Sequence, residues 1–320
     1  MLDVLGYLAF FLTTALSYAL MCLGLNLQWG QTGLFNVGIA GFAAIGAYAS
    51  AMLTTPPGGN HFGGFDLPIL IGWIGAMLAS GLAAAIIGAI TLRLRADYLA
   101  ITTFGIAIVI QLFALNAQSF TGGAFGIGFI PRPFANLAEH ALAFELANLA
   151  LVGGVTLLVF LALERLVRSP WGRVLRAIRE DETAALSLGK NAKRFRLQAF
   201  VLGSAIIGLA GAIQGHFIGF IAPENYLSAI TFQVWAMLII GGSGNNRGAL
   251  VGAILVWGLW SLSGAAMTTI FPPEQQVRAA ALQIVAIGVL MATILLLRPR
   301  GILGEQMTVS RHLEGGTGDG

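Results

Sequence analysis

The sequence predicts an all-α, polytopic helical membrane protein, and three features predict it. Only 10% of the residues are charged, where a soluble chain carries about a quarter. Hydrophobic residues make up 57% of the chain and the mean hydropathy is +0.83. The apolar residues also fall in runs of about 20, the length that crosses a bilayer core at about 1.5 Å per helical residue. A soluble globular domain is therefore not expected anywhere in the chain.

The expected spans follow in order at 4–25, 33–54, 67–92, 98–116, 141–163 and 199–221. The region 227–264 reads as a short span, the polar turn SGNNRG and another span, and 278–297 closes the series. The count is about nine, with eight to ten as its bounds. Residues 4–25 read as a retained first span: Asp3 is the nearest charge and no basic leader or small-residue cleavage site follows it. The polar, Gly-containing stretch LNLQWGQTGLFNVG makes a broken or re-entrant helix the expectation there, because irregular backbone at membrane depth needs protein or a hydrated cavity around it. Residues 1–300 form one transmembrane domain in this reading, and 301–320 form a short polar tail, expected to be disordered.

Charge gives the orientation. The loop 164–198 holds Arg165, Arg168, Arg173, Arg176, Arg179, Lys190, Lys193, Arg194 and Arg196, so the positive-inside rule makes it cytoplasmic. Arg93, Arg95, Arg247, Arg298 and Arg300 fall on the same side, whereas 55–66 and 222–229 have no basic residue and 117–140 has only Arg132. This places the N-terminus outside and the C-terminus inside.

Chemistry is sparse. The single cysteine, Cys22, excludes an internal disulfide, and His61, His140, His216 and His312 show no metal-ligand spacing. No catalytic residue, metal, cofactor or nucleic-acid partner is expected. Gly189-Lys190 is followed by Asn191, with Ala184 where a P-loop needs its first glycine. Any ATP hydrolysis is thus assigned to a partner. No acid or base sits clearly at mid-span, which disfavours a carboxylate proton relay. Asn26, Gln28, Gln31 and Asn36, with Thr102 and Thr103, could line a path for a polar, net-neutral solute. They could equally be interhelical hydrogen-bonding residues. Gly211, Gly215 and Gly219 repeat at every fourth position and read as a helix-packing stripe, and His216 beside them reads as a satisfied packing residue.

The charged loop carries the strongest functional signal. Ser169-Pro170 breaks a helix, and Val174, Leu175 and Ile178 recur at helical spacing. Glu180-Asp181-Glu182 makes an acidic turn, Ala184 and Ala185 suggest a second short helix, and Gly189 stands as its stop. The motif TAALSLG resembles the cytoplasmic "EAA" loop of ABC importer permeases, with Thr183 at the usual Glu position. GLNLQWGQTGLFNVGIAGFAAIGAY, LRLRADYLAITTFGIAIVIQ, RSPWGRVLRAIREDETAALSLG, GLAGAIQGHFIGFIAP and GGSGNNRGALVGA occur in the order of the M-type permease chain of branched-chain amino acid ABC importers, and the similarity covers about residues 15–300.

That resemblance implies a homologous second permease, two cytoplasmic ATPase subunits, a periplasmic substrate-binding protein and import of Leu, Ile and Val. Urea, short amides or other amino acids are the alternative cargo. It implies a coupling surface built from Arg176, Glu180, Asp181, Glu182, Ala184, Ala185 and Gly189. A stand-alone ion-coupled transporter, an intramembrane enzyme and a structural assembly subunit are the competing classes; the first lacks a mid-membrane carboxylate and the second a catalytic constellation.

Overall fold

The computed structural model describes residues 2–58, 62–272, 275–297 and 301–304. His61, His312, Arg298, Arg300 and most of the expected tail lie outside them. The described chain is helical, and its β-structure is one isolated antiparallel bridge, Ile127 to Ile221. Twelve α-helices are described: α1 (Leu2–Leu25), α2 (Ile39–Thr54), α3 (Ile69–Thr91), α4 (Ala96–Asn116), α5 (Gln118–Thr121), α6 (Ala141–Arg168), α7 (Pro170–Glu180), α8 (Glu182–Ser187), α9 (Ala192–Ile218), α10 (Ser228–Gly241), α11 (Asn246–Ile270) and α12 (Gln276–Leu297).

Six helices among the described residues are long and apolar enough to cross a membrane: Val4–Gly30, Ile69–Thr91, Ala96–Asn116, Ala141–Arg168, Ala192–Ile218 and Asn246–Met267. These six, found among the described residues, do not support the expected count of about nine. The span expected at 33–54 begins only at Ile39, because 33–38 is irregular, and α2 has 16 residues. At about 1.5 Å per residue it reaches about 24 Å, short of a core about 30 Å thick. Helix α10 has 14 residues and is shorter still. Helix α12, several of whose side chains are outside the description, is not among the six.

Helix α9 is the centre of the fold, packed against α1, α2 and α3, and α1 in turn packs on α6 and α11. Lipid-soluble helices gain little from apolar burial against each other, so close approach through small residues does the work. The crossings are glycine on glycine. A Cβ on Gly24 (α1) would lie 2.5 Å from the Gly203 carbonyl oxygen (α9), and one on Gly203 would lie 2.6 Å from the Gly24 oxygen. A Cβ on Gly46 (α2) would overlap the backbone of Gly208 (α9), and one on Gly241 (α10) that of Gly248 (α11).

The expected stripe Gly211, Gly215, Gly219 is not one packing face. Gly211 meets the backbone of Ala43 on α2, and Gly215 meets the Ile221 side chain. Gly219 lies beyond the helix, ending α9 at φ 81° with its N–H on the Gly215 carbonyl. His216 is fully buried: its Nδ1 donates to the Pro131 carbonyl (2.8 Å), so Nε2 accepts from Ser50 Oγ (2.9 Å). This holds α2, α9 and the 117–140 loop together.

At the other end of the chain, Ile302 and Leu303 donate to the carbonyls of Ile240 and Gly241. Structure thus continues past the expected boundary at 300. Residues 305–320 lie outside the description.

Replacing Gly203 by Leu should lower stability by about 1–3 kcal/mol or more, as overpacking does. The same change at Gly154, where a Cβ meets nothing within 4 Å, should stay within about 0.5 kcal/mol. Thermal unfolding of both variants in the same detergent checks the contrast.

Candidate functional site

Two features bear on function, a polar break in the first span and the charged hairpin between α6 and α9. The break begins where α1 passes into a single π-helical segment, Asn26–Gly30, and ends at Ile39. Its backbone cannot be left unpaired at this depth, where each unsatisfied group costs several kcal/mol. Buried amide side chains supply what the helix no longer does.

Asn26 donates to Asn246 Oδ1 (2.9 Å) and accepts from the Gly244 N–H (2.8 Å). Gln28 donates to the Phe200 carbonyl (2.9 Å) and to Ser204 Oγ (3.0 Å), and accepts from Asn36 Nδ2 (2.8 Å). Gln31 donates to the Gly244 carbonyl (2.7 Å). Asn36 Oδ1 takes the Gly38 N–H (2.8 Å), and its own carbonyl takes the Trp235 indole N–H (2.9 Å). Thr103 Oγ1 accepts from the Val37 N–H (3.0 Å). Trp29, Phe35 and Trp235 close over the break with ring centroids 4.7 to 5.4 Å apart.

The sequence grouped these residues as candidate path lining. The structure brings Asn26, Gln28, Gln31, Asn36 and Thr103 together, each 0% or 1% exposed. All five are engaged in bonds that hold α1, α4, α9 and the 242–247 turn around the break. Thr102 is separate, half-buried on α4.

The hairpin is built locally. Ser169 stands at the N-cap position of α7 with its hydroxyl turned back to the Leu166 carbonyl (2.6 Å), and Pro170 takes the first helical position, where a missing N–H is harmless. Helix α7 buries Gly172, Leu175 and Ile178. Asp181 caps α8, its Oδ1 accepting the N–H groups of Thr183 (2.8 Å) and Ala184 (3.0 Å). Gly189 ends α8 at φ 75°. Its N–H goes to the Leu186 carbonyl and that of Lys190 to the Ala185 carbonyl, a paired-bond helix stop.

The two alanines of the motif have different surroundings. Ala185 is buried with Ile178 and Ala192, whereas Ala184 is exposed. Leu186 and Leu188 are 52% and 77% exposed beside it. Arg176 is half-buried.

The hairpin is also tied to the break. Arg179 Nη1 donates to the Gly30 carbonyl and Nη2 pairs with Glu180 (2.6 Å). Glu182 pairs with Arg196 on α9 (2.8 Å), and Trp171 Nε1 donates to Gln198 Oε1 (2.8 Å). A second chain runs from Arg168 through Glu164 to Asn246 and so to Asn26. The sequence marked Arg179 only as a topology charge. Arg173, Arg176 and Arg179 recur every third position, and nothing local distinguishes the one that reaches Gly30. Glu164, the acid near the C-terminal end of a 28-residue apolar helix, was the more readable signal.

Comparison with known proteins bears on both features. Residues 7–296 match the family model described as branched-chain amino acid transport system / permease component. The chain is 34% identical over 269 residues to the high-affinity branched-chain amino acid transport system permease protein LivM of Escherichia coli, covering 76% of this chain and 60% of that protein. This chain therefore spans less than two thirds of that relative's length. It is 27% identical to the probable branched-chain amino acid transport permease protein LivM of Methanocaldococcus jannaschii, covering 74% and 75%. With the permease protein LivH of Salmonella typhimurium the identity is 28%, over 92% and 93%. No solved structure matches.

Asn26→Leu should orphan the Gly244 N–H and one Asn246 bond, at about 1–3 kcal/mol for each group left buried and unpaired. A fall in thermal stability with faster proteolysis at the 242–247 turn is the expected outcome. Asp181→Ala should cost about 1 kcal/mol of helix capping, read as faster amide exchange confined to 182–188.

Proposed function

The chain belongs to the branched-chain amino acid transport permease family, and on that premise we propose that it is a membrane subunit of an ABC importer. In this reading it forms half of a path for Leu, Ile and Val. A homologous permease forms the other half, two cytoplasmic ATPases drive it, and a periplasmic binding protein delivers the solute. The chain resides in the inner membrane of a bacterium, with the α7–α8 hairpin on the cytoplasmic side. It has no nucleotide site of its own.

One observation carries the reading: the hairpin is exposed at its tip yet fixed at its base to the broken first span. Leu186 and Leu188 stand exposed beside Ala184, while Arg179 is bonded to the Gly30 carbonyl at the π-helical segment. An ATPase groove holding the tip would move α7 and α8 together, because Ile178 and Ala185 pack in one cluster, which also takes in Ala192 at the start of α9. That displacement reaches the membrane by the Arg179–Gly30 bond and by the Glu182–Arg196 pair on α9.

The break is suited to receive it. Its backbone is held by side-chain bonds rather than by a continuous helix, and these can exchange without melting a whole span. The buried amides then act as the hinge's fasteners in this state, and Thr102 remains a candidate for the path itself. Substrate choice is assigned to the binding protein.

Reversing Glu180, Asp181 and Glu182 to Lys should abolish ATPase co-purification and uptake while membrane insertion persists. Gly189→Leu adds left-handed strain of about 1–2 kcal/mol at the hairpin stop and should weaken docking. Arg179→Ala should behave differently. Removing a charge-assisted bond of about 1.5–3 kcal/mol should leave the ATPase bound but lower ATP-driven uptake roughly tenfold or more. Uptake in proteoliposomes beside pull-down of the ATPase separates the two classes, and wild-type transport by all three variants would refute the coupling role.

A further inference from the structure

The charge of the hairpin region looks mixed along the sequence, but the fold sorts it. Glu180 and Glu182 are matched by Arg179 and Arg196, and Asp181 is used as a cap. Four other cations gather where three spans end. Arg93 and Arg95 lie in the link between α3 and α4, and Lys193 and Arg194 lie in the first turn of α9. Among the described residues none of these four side chains makes an ion pair or hydrogen bond.

They border two adjoining pockets. One, of about 320 Å³, has Arg93, Lys193 and Arg194 at its rim and Gly88, Leu92 and Leu197 as its apolar wall. The other, of about 480 Å³, adds Arg95 and the Arg196–Glu182 pair. The apolar wall continues into the exposed face of α3, where Ile86 and Ile90 are 59% and 70% exposed. Tyr98 beside the shelf is 63% exposed, as interfacial aromatics are.

We propose that this shelf is a binding site for the headgroup of an anionic phospholipid, its phosphate held among Arg93, Lys193 and Arg194 and its glycerol and upper acyl chain against Gly88, Leu92 and Leu197. Three observations favour a lipid over a protein partner. The cations stand at the ends of candidate spans, where headgroups lie. The pockets are apolar on the side continuous with the membrane-facing surface. The charges are uncompensated, and each such residue near an anionic leaflet contributes to binding. Arg presents a planar donor fork that suits phosphate. The site lies beside the hairpin without using its exposed tip, so it goes beyond the coupling role.

The full chain would be reconstituted in phosphatidylcholine nanodiscs and titrated with spin-labelled phosphatidylglycerol. A clear preference over spin-labelled phosphatidylcholine is expected. Arg93→Gln with Arg194→Gln should weaken that preference about thirtyfold if each charge acts fully, and Arg93→Lys with Arg194→Lys should largely retain it. Added salt should weaken binding to the wild type, which keeps the test valid if the Gln pair misfolds. Equal affinity for both lipids, or an unchanged preference in a folded Gln variant, would overturn the proposal. So would displacement by inorganic phosphate beyond the effect of chloride at equal ionic strength, which would mark a free-anion site. Loss of ATPase co-purification with lipid preference intact would make the shelf a protein contact instead.

Discussion

The structure depends on one constraint: a helix broken at membrane depth must find partners for its backbone inside the protein. Water is absent there, and an unpaired N–H or carbonyl costs several kcal/mol. Between Asn26 and Gly38 the chain leaves the α-helical pattern, and amides from the break and from distant elements replace the lost bonds. Asn26 reaches across 220 positions to Asn246, and Gln28 across 172 to the Phe200 carbonyl. The 242–247 turn and the N-terminal half of α9 are placed by these bonds as much as by apolar packing.

The glycine crossings follow from that arrangement. For side chains on α1 and α9 to hydrogen-bond directly, the helices must approach closely. Gly24 and Gly203 permit it, with Gln28 immediately beside the contact. Gly46 and Gly208 do the same for α2 and α9. Tight packing and polar satisfaction are therefore one feature, since each requires the other. The remaining apolar surface, on α11, α4 and α6 above all, is left outward for lipid or another subunit.

The hairpin joins this framework at a defined place. Its base is buried through Leu175, Ile178 and Ala185, and its tip exposes Ala184, Leu186 and Leu188. The bond from Arg179 to Gly30 ends at the π-helical segment, where the first span is already interrupted. In the proposed coupling, a force applied at the tip would meet the part of the membrane domain where the first span is not a regular helix.

The sequence by itself determined the class of the protein, the position of the break, the two-helix form of the hairpin and its stop at Gly189. These are local matters. Transfer of apolar side chains sums along the chain, and caps, prolines and left-handed glycines act within a few residues. Hydropathy could not show that a regular helix resumes only at Ile39 or that α10 stops at 14 residues. Only the tertiary structure decided which glycines make crossings and which one ends a helix, which alanine of the motif faces inward, and which arginine reaches Gly30. It also showed which partners five polar residues, read from the sequence as candidate path lining or interhelical hydrogen-bonding groups, find among one another and in remote elements. A buried amide has several lone pairs and protons to satisfy, and its partners lie up to 220 positions away. Their identity is therefore set by how the helices cross.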